Sequence, residues 1–391
     1  MRRPALLILA LIAMLAPAPV LGQTSVTDAL KGFDEDETER KPKPADDSLD
    51  GVLEGFDDKP DNPRATKPGG RADAQEQARL NWGGSLAEEL SYNYAHHAPA
   101  TGQSDSRGLS SVKTRLDLDA DHRFDGGWKG RLSGHAFYDA AYTFRGRGDY
   151  RAGLIEAYES EAEIDEAFVE GPLSSSFDLK VGRQIVVWGK ADTLRVTDQL
   201  NPLDLRQPGR TDVDDLRLPL AISKLSYHRG PWTASANLVH EARYNKTAVP
   251  GSDFFPPNVA LPREQKPSRS FGNQEIGLAL DGVFSGWDLS LYAANFFNDQ
   301  PHVALDGATL VRKHARLRML GFALNVATGN WLWKAEAAYL DGFKFSGAPG
   351  ERFDRLDALA GAEYSGLTDT TVSLARLKQF GGVEKAKLLI L

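Results

Sequence analysis

The sequence predicts an all-β protein, a transmembrane antiparallel β-barrel of about 14 strands that follows an export signal and a disordered leader. Three observations predict this fold class. Apolar and polar residues alternate over segments longer than a usual soluble strand. Short connections alternate with long ones along the chain, and tryptophans follow the short connections.

The clearest strand is predicted over residues 128–144. Trp128 and Tyr138 lie on one face of this segment, and Arg131 and His135 lie on the other. A tilted membrane-spanning strand needs about 9 to 11 residues, which this segment supplies. We therefore expect apolar side chains to face lipid and polar side chains to face a lumen.

The same alternation recurs in about thirteen candidate strands between residues 80 and 379. A soluble β-sandwich shares the two-residue period and is the alternative fold. Bacterial single-chain barrels use an even number of strands, so we expect about 14, with the last one weak or missing. Residues 386–391 either form a short closing strand or mark a truncated barrel.

The connections support the barrel over the sandwich, because short periplasmic turns and long external loops are the outer-membrane arrangement. Five tryptophans fall at the end of the strands where the turns are short, as in an interfacial aromatic girdle. The short connections are residues 125–127, 171–175, 229–231, 285–286, 328–330 and 366–369, the long ones are 95–108, 146–159, 190–218, 245–272, 299–311 and 342–354, and the tryptophans are Trp82, Trp128, Trp232, Trp287 and Trp331.

The first 77 residues divide into two segments. Residues 1–22 have two arginines, a short apolar run and a small-residue end, which is the pattern of a cleaved signal peptide. The run is too short to span a membrane. Residues 23–77 are rich in charged residues, Pro and Gly, and this composition predicts a disordered periplasmic leader.

One L-x-G-F-D pattern occurs twice in the leader, at residues 30–34 and 53–57. Phe33 and Phe56 are therefore candidate docking residues for a periplasmic protein, because two linked weak sites bind more tightly than one. A duplicated spacer is the alternative interpretation.

Composition excludes several classes of site. The chain has no cysteine, so it has no thiolate metal or redox centre, and its net charge of -8 does not favour nucleic acid. His96 and His97 are adjacent on a predicted loop and are not expected to bind metal. No G-x-S-x-G elbow is present. We assign no cofactor, no metal and no catalytic residue, and we do not expect an enzyme.

The segment 190–218 is the most informative loop, because arginines and aspartates are interleaved along it. Such a loop is expected to fold on itself, and in a wide barrel it could turn inward and narrow the lumen. An external loop with ordinary salt bridges is the alternative. The candidate lumen or constriction residues are Arg183, Gln184, Trp188, Lys190, Asp192, Arg195, Asn201, Asp204 and Arg206.

Two short patterns in this region carry a family resemblance. Residues 181–189 read V-G-R-Q-x-V-x-W-G, and residues 198–204 read D-x-x-N-P-x-D. The region resembles a family of uncharacterised outer-membrane barrels. The resemblance implies an outer-membrane location and a partnership with RND-type (MMPL) exporters and periplasmic lipoprotein-sorting-like proteins.

We therefore expect an outer-membrane channel or conduit of a Gram-negative bacterium. One alternative is a structural or assembly barrel that anchors the leader, and a second is an outer-membrane lipid hydrolase. Outer-membrane lipid is an expected partner, and a basic cluster is expected to pair with lipopolysaccharide phosphates. Its members are Arg312, Lys313, His314, Arg316 and Arg318, which are expected to begin a strand at the outer rim.

Overall fold

The computed structural model describes residues 79–381 except residues 96, 102, 192–193, 211–215, 269 and 369. The expected signal peptide, the leader with Phe33 and Phe56, the candidate Asp192 and the C-terminal segment 386–391 lie outside the described residues. The expectations for them stay predictions.

Thirteen long strands form the main sheet. They are β1 (Leu80–Asn93), β2 (Gly108–Arg123), β3 (Lys129–Asp139), β4 (Ser160–Ser174), β5 (Phe177–Gln184), β7 (Leu220–Arg229), β8 (Trp232–Val239), β11 (Glu275–Phe284), β12 (Trp287–Phe297), β15 (Arg316–Thr328), β16 (Trp331–Phe343), β17 (Phe353–Leu367) and β18 (Thr370–Gly381).

The remaining elements are short and lie in the long connections. They are β6 (Asp204–Leu205), β9 (Lys246–Thr247), β10 (Arg263–Gln265), β13 (His302–Asp306), β14 (Thr309–Lys313), helix α1 (Ala141–Phe144), helix α2 (Ala152–Tyr158) and single 3₁₀ turns at Asp125–Gly127, Arg147–Asp149 and Phe271–Asn273. The short strands pair as β6–β9 and as β10–β14–β13.

In the main sheet every strand is antiparallel to the strands before and after it, from β1 to β18. A single loop between β5 and β7 contacts Glu89 on β1 and Glu336 on β16, two strands far apart in the sheet order. The sheet must therefore curl around that loop. The predicted all-β antiparallel barrel fold is confirmed, with thirteen sheet strands in the described part of the chain.

The two faces of the sheet differ in polarity, as the alternation predicts. Leu278, Leu291 and Leu320 are outward and exposed, whereas Glu336 and Asp357 are inward and buried. This distribution is the reverse of a water-soluble protein, in which large apolar side chains are buried and charged ones exposed.

The predicted pattern of connections is confirmed. Tight turns join β7 to β8, β11 to β12 and β15 to β16 at one end of the sheet, and the long loops lie at the other end. Trp82, Trp287 and Trp331 are exposed near the turn end. They mark that end as an aromatic rim.

Two predictions of strand extent are wrong. The strand predicted over residues 128–144 ends at Asp139, because the Asp139 carboxylate accepts the backbone N–H of Ala141 at 3.0 Å and starts a turn into α1. Residues 312–318 do not begin one strand. Arg312 and Lys313 end β14, and the sheet strand β15 starts at Arg316.

Candidate functional site: a loop folded onto the inner face

The loop between β5 and β7 comprises residues 185–219 and contacts the inner face of the sheet. Its two parts differ in the way they do so. The described residues of the anchored half, 185–191 and 194–203, pack closely against β12, β15 and β16. The described residues of the cavity half, 204–210 and 216–219, face β1 to β4 across an open space.

The anchored half is held by Glu336, a buried carboxylate on β16. This carboxylate accepts the backbone N–H of Lys190 and, at 2.7 Å, that of Ala191. It also accepts the hydroxyl of Thr197 at 3.0 Å and its N–H at 3.4 Å. Hydrogen bonds to a charged group are the strong ones, so one wall residue fixes two turns of the loop.

Gly189 allows this approach. Its backbone has φ +97°, and a Cβ at this position would lie 2.9 Å from both the Glu336 carboxylate and the Thr197 hydroxyl. Trp188 stacks on Tyr292 of β12 with ring centroids 4.9 Å apart, and the Tyr292 hydroxyl accepts the Gly189 N–H at 3.2 Å. The W-G pair of the motif thus docks the loop on the wall.

Asp198 organises the interior of the anchored half. Its carboxylate accepts hydrogen bonds from Nε–H of Arg195 at 3.0 Å and from Nε–H of Arg217 at 2.8 Å. Both Asp198 and Arg217 are buried. Asn201 accepts the Val186 N–H at 2.9 Å and donates to the carbonyl of residue 218 at 2.8 Å. The D-x-x-N spacing therefore ties the start of the loop to its end.

The cavity half carries Arg206, which points at the wall. Its guanidinium donates to Asp204 and Glu161, and to the Ala157 carbonyl at 2.6 Å. Burial alone would lower the pKa of Arg206, but its hydrogen bonds to the two carboxylates raise it, so the side chain stays charged. Lys246 of β9 also contacts Glu161, at 2.9 Å.

A second charged cluster lies beside it around Glu163 of β4. The Glu163 carboxylate is in contact with Arg183 at 2.7 Å, with Lys246 at 2.7 Å and with Arg243. Three cations therefore converge on one wall carboxylate, one from β5, one from β9 and one from the connection between β8 and β9. Such a network holds its side chains in a single geometry.

Between these clusters and the wall lies a polar cavity of about 620 Å³. Charged side chains of both signs line it, from β1 to β4 on one side and from the cavity half on the other. The charged lining residues are Glu89, Lys113, Arg115, Asp117, His135, Glu161, Asp165, Glu166, Asp204, Arg206, Arg210, Arg217 and Lys246. A space of this size and polarity suits water and small polar solutes.

The predicted site residues occupy different positions around this cavity. Asp204 and Arg206 line it, and Arg183 lies in the adjoining cluster. Gln184, Trp188 and Asn201 are buried, and their contacts hold the loop. Lys190 pairs with Asp288 at 2.9 Å, and Arg195 pairs with Asp198. Their assignment to a constriction stays a prediction.

Sequence analysis missed four residues of this site: Glu336, Thr197, Asp198 and Tyr292. Glu336 stands 146 residues from Lys190, and no local pattern links them. Asp198 was visible only as the first residue of the D-x-x-N-P pattern. The alternation along β16 places Glu336 on the inner face, two residues after Lys334, and this is the one local signal of its role.

Two histidines lie beside residues of the types that a hydrolase site uses. His240 Nε2 lies 2.9 Å from the hydroxyl of Ser223, but Nδ1 faces the amide nitrogen of Gln274 at 3.4 Å instead of a carboxylate. His135 lies beside Asp165 and Glu161 without a hydroxyl contact in the described hydrogen bonds. Nucleophilic catalysis needs a base oriented by a third group, and neither arrangement supplies the set.

The part of the chain that the structure describes lacks two kinds of feature. No group of three or more histidine, aspartate or glutamate side chains is placed there to hold a metal ion. No helix in that part of the chain has the length and apolar character needed to cross a membrane.

Comparison with protein-family models gives one match, to a family described as "protein of unknown function (DUF1302)", over residues 61–375. The chain belongs to this family. The DUF1302 match includes the whole 185–219 loop and every sheet strand up to the first half of β18. A search of curated proteins finds no match.

Solved structures similar to this DUF1302 chain include a porin and outer-membrane proteins. A BenF-like porin from Pseudomonas fluorescens Pf-5 is 15% identical, with a TM-score of 0.40 over 77% of this chain and 66% of that one. OccK9 (OpdG) of Pseudomonas aeruginosa is 12% identical, with a TM-score of 0.41 and the same coverages.

A loop L8 deletion mutant of OmpT, an outer membrane protein of Vibrio cholerae, is 11% identical, with a TM-score of 0.38 over 78% of this chain and 83% of that one. TM-scores this low do not by themselves establish a shared fold. The fold of the DUF1302 chain rests on its own strand pairing.

Proposed function

We propose that this DUF1302 protein is an outer-membrane channel whose lumen is narrowed by the 185–219 loop. The single observation that carries the proposal is the fixing of that loop on the inner face by the buried Glu336 carboxylate, opposite a charged cavity of about 620 Å³. A loop fixed inside a barrel, with charges facing the remaining space, is how pores select small solutes.

The outer face supports the membrane location. Along β15 the outward positions change from Arg318 to Leu320, Phe322, Leu324 and Val326, and then to Thr328 at the turn. Ten residue steps at about 3.4 Å, tilted by about 40°, correspond to a band about 25 Å high, the height of the apolar band on outer-membrane barrels.

The polar boundary continues across neighbouring strands. Arg318 pairs in register with Asn295 on β12 and with Asp341 on β16, whereas the next outward row contains Ala293, Leu320 and Tyr339. A row of polar residues directly above a row of apolar residues is the pattern expected where the membrane interior ends.

The finer role concerns a partner. We propose that the channel is the outer-membrane component of an RND-type export system, and that the 23–77 leader, through Phe33 and Phe56, binds a periplasmic protein of that system. The resemblance of residues 181–189 and 198–204 supports the partnership. Two linked apolar residues in a charged tether support the leader's role.

Planar-bilayer conductance of the refolded mature protein tests the channel, compared with a variant that lacks residues 192–216. We expect a small, stable conductance that rises in the deletion variant. No conductance from either protein, when both are shown to be folded in the membrane, would contradict the channel and favour a barrel that only anchors the leader.

A further inference from the structure

Three members of the basic cluster at the outer rim are neutralised within the protein. Arg312 lies 3.6 Å from Glu264, and His314 Nε2 donates a hydrogen bond to the same carboxylate at 2.9 Å. Lys313 lies 3.5 Å from Asp306. These three side chains hold the small β10–β14–β13 sheet together and leave little charge for an external ligand.

Arg316 is different, because all its hydrogen-bond acceptors are uncharged. Its guanidinium donates to the side-chain oxygen of Asn295, to the Gln274 carbonyl at 2.6 Å and to the Asn273 carbonyl at 3.3 Å, and it lies 4.6 Å above the Phe297 ring. Among the described residues it has no ion pair with a carboxylate. The group is rigid, and its positive charge is not cancelled by contact with an acid.

Arg318 lies two residues along β15 on the same outward face. It is exposed, and within the described part of the chain it makes neither a hydrogen bond nor an ion pair. Its cross-strand neighbour Asp341 is already paired with Arg352 at 3.1 Å. Residues two apart in a strand are separated by about 7 Å, so the two guanidiniums form a divalent cationic patch.

An apolar groove of about 450 Å³ lies below the patch on the outer face. It is lined by Ile276, Leu278, Ala293, Leu320 and Tyr339, with Asn295, Arg318 and Asp341 at its upper edge. The groove crosses β11, β12, β15 and β16, and three strand spacings of about 4.8 Å make it about 14 Å wide. That width exceeds a single alkyl chain.

We propose that Arg316, Arg318 and this groove bind lipopolysaccharide, a lipid with several acyl chains and more than one phosphate. The guanidinium fork of Arg318 matches phosphate oxygens, and the charge of Arg316 supplies a second cation for a second phosphate. A groove four strands wide matches several chains better than the two of a phospholipid. The site lies at the loop end of the barrel, which faces the outer leaflet, so the proposal rests on the outer-membrane location proposed above.

Native mass spectrometry of the full mature protein, refolded in detergent and titrated with rough-type lipopolysaccharide or with phosphatidylglycerol, tests the site. The variants are Arg318→Gln and the double variant Arg316→Gln with Arg318→Gln. Lys378→Gln is the matched control, because Lys378 is an exposed outward-facing cation on β18 that lies outside the groove. A heat-dependent shift in gel migration first shows that each protein is folded.

We expect lipopolysaccharide affinity to fall at least tenfold in the double variant and about threefold in Arg318→Gln, with Lys378→Gln unchanged. The single variant keeps the test decisive if loss of the Arg316 hydrogen bonds impairs folding. Unchanged affinity in folded Arg318→Gln, or phosphatidylglycerol binding as tightly as lipopolysaccharide, would overturn the site. Wild-type protein that fails to fold into membranes would instead contradict the proposed location.

Discussion

The two halves of the 185–219 loop meet the barrel wall in opposite ways. The anchored half contacts the wall through buried groups: Glu336 with backbone N–H donors, and Trp188 stacked on Tyr292. The cavity half contacts it through partly exposed ion pairs around Arg206 and leaves an open space. The anchored half is packed like a protein core, and the cavity half lines a polar cavity.

The difference assigns the position of the loop to the anchored half and the ion selectivity of the proposed channel to the cavity half. Buried hydrogen bonds to charge contribute more free energy than exposed ion pairs, so changes in the anchored half should alter where the loop lies. Changes in the cavity half should alter which ions pass while the loop stays in place. The predictions below are ordered from the largest expected effect to the smallest.

Asp198→Ala should have the largest effect, because it leaves Arg217 buried without the Asp198 carboxylate. Removing one partner of a buried pair costs about 3–5 kcal/mol, and here the cost falls on the loop. We expect residues 185–219 to become sensitive to protease while the barrel stays folded. Limited proteolysis in liposomes followed by mass spectrometry measures this.

Asp117→Ala is the control for that experiment, since the Asp117–Arg115 pair at 2.7 Å lies on the inner wall and is partly exposed. Such pairs contribute about 0–1 kcal/mol. Equal protease resistance of wild type and Asp198→Ala would show that the anchored half does not depend on its buried charges.

Gly189→Ala should displace the loop from Glu336, because the added Cβ would meet the carboxylate and Thr197. Gly209→Ala is a matched control. It also has a positive φ, +81°, but its Cβ would meet no atom within 4 Å. We expect single-channel conductance to rise about twofold or more in Gly189→Ala only, by the relief of a loop constriction. Equal conductances would contradict the docking role of Gly189.

Arg206→Gln should change selectivity more than conductance. Glu161 and Asp204 would lose the cation between them, so the cavity becomes more negative and favours cations. The reversal potential across a KCl gradient measures this shift. Arg352→Gln, at the loop end of the sheet, should leave the reversal potential unchanged. An equal shift of the reversal potential in Arg352→Gln would contradict the claim that the cavity half determines ion selectivity.

The smallest effect concerns the hairpin of β13 and β14 at the loop end of the sheet. Burial, with the nearby cations Lys344, His314 and Lys313, lowers the pKa of His302 to about 4. The folded state therefore favours neutral His302, and this stabilisation is present above the usual pKa of 6.5 and is lost as pH falls towards 4. The hydrogen-exchange rate of the hairpin amides, corrected for intrinsic rates, should increase as the pH is lowered from 7.5 to 5.

The variant His302→Leu should remove this pH dependence, because it cannot take up a proton. The anchored half has no contact with His302 among the described hydrogen bonds and ion pairs, so its protease resistance should be the same at both pH values. Loosening of both regions together at pH 5 would contradict the independence of hairpin and loop.

How far the sequence predicts this structure depends on the distance over which residues interact. The strands, the turn end and the inward or outward direction of Leu278, Trp331 and Glu336 follow from the two-residue period and neighbouring turns. The end of β3 at Asp139 was missed because Tyr142 and Phe144 continue the alternation into a helix, and only the Asp139 carboxylate decides the turn.

The site was predictable in outline only. The motif located the loop, and interleaved charges indicated that it folds on itself. Its depth in the barrel depends on Glu336, a contact that spans more than a hundred residues and leaves no local pattern. Likewise Arg316 and Arg318 are not distinguishable in sequence from Arg312 and Lys313. The carboxylates that pair with Arg312 and Lys313 are Glu264 on β10 and Asp306 on β13, and no local pattern marks these contacts.

The most direct test of the central claim is the single-channel conductance of Glu336→Ala, compared with wild type and with Glu363→Ala. Glu363 is also an inner-wall carboxylate, but it contacts Lys334 at 2.6 Å instead of the loop. If Glu336 holds the constriction in place, Glu336→Ala conducts more, with wide fluctuations, and Glu363→Ala behaves as wild type. Identical conductance of all three folded proteins would show that the anchored loop does not limit the pore.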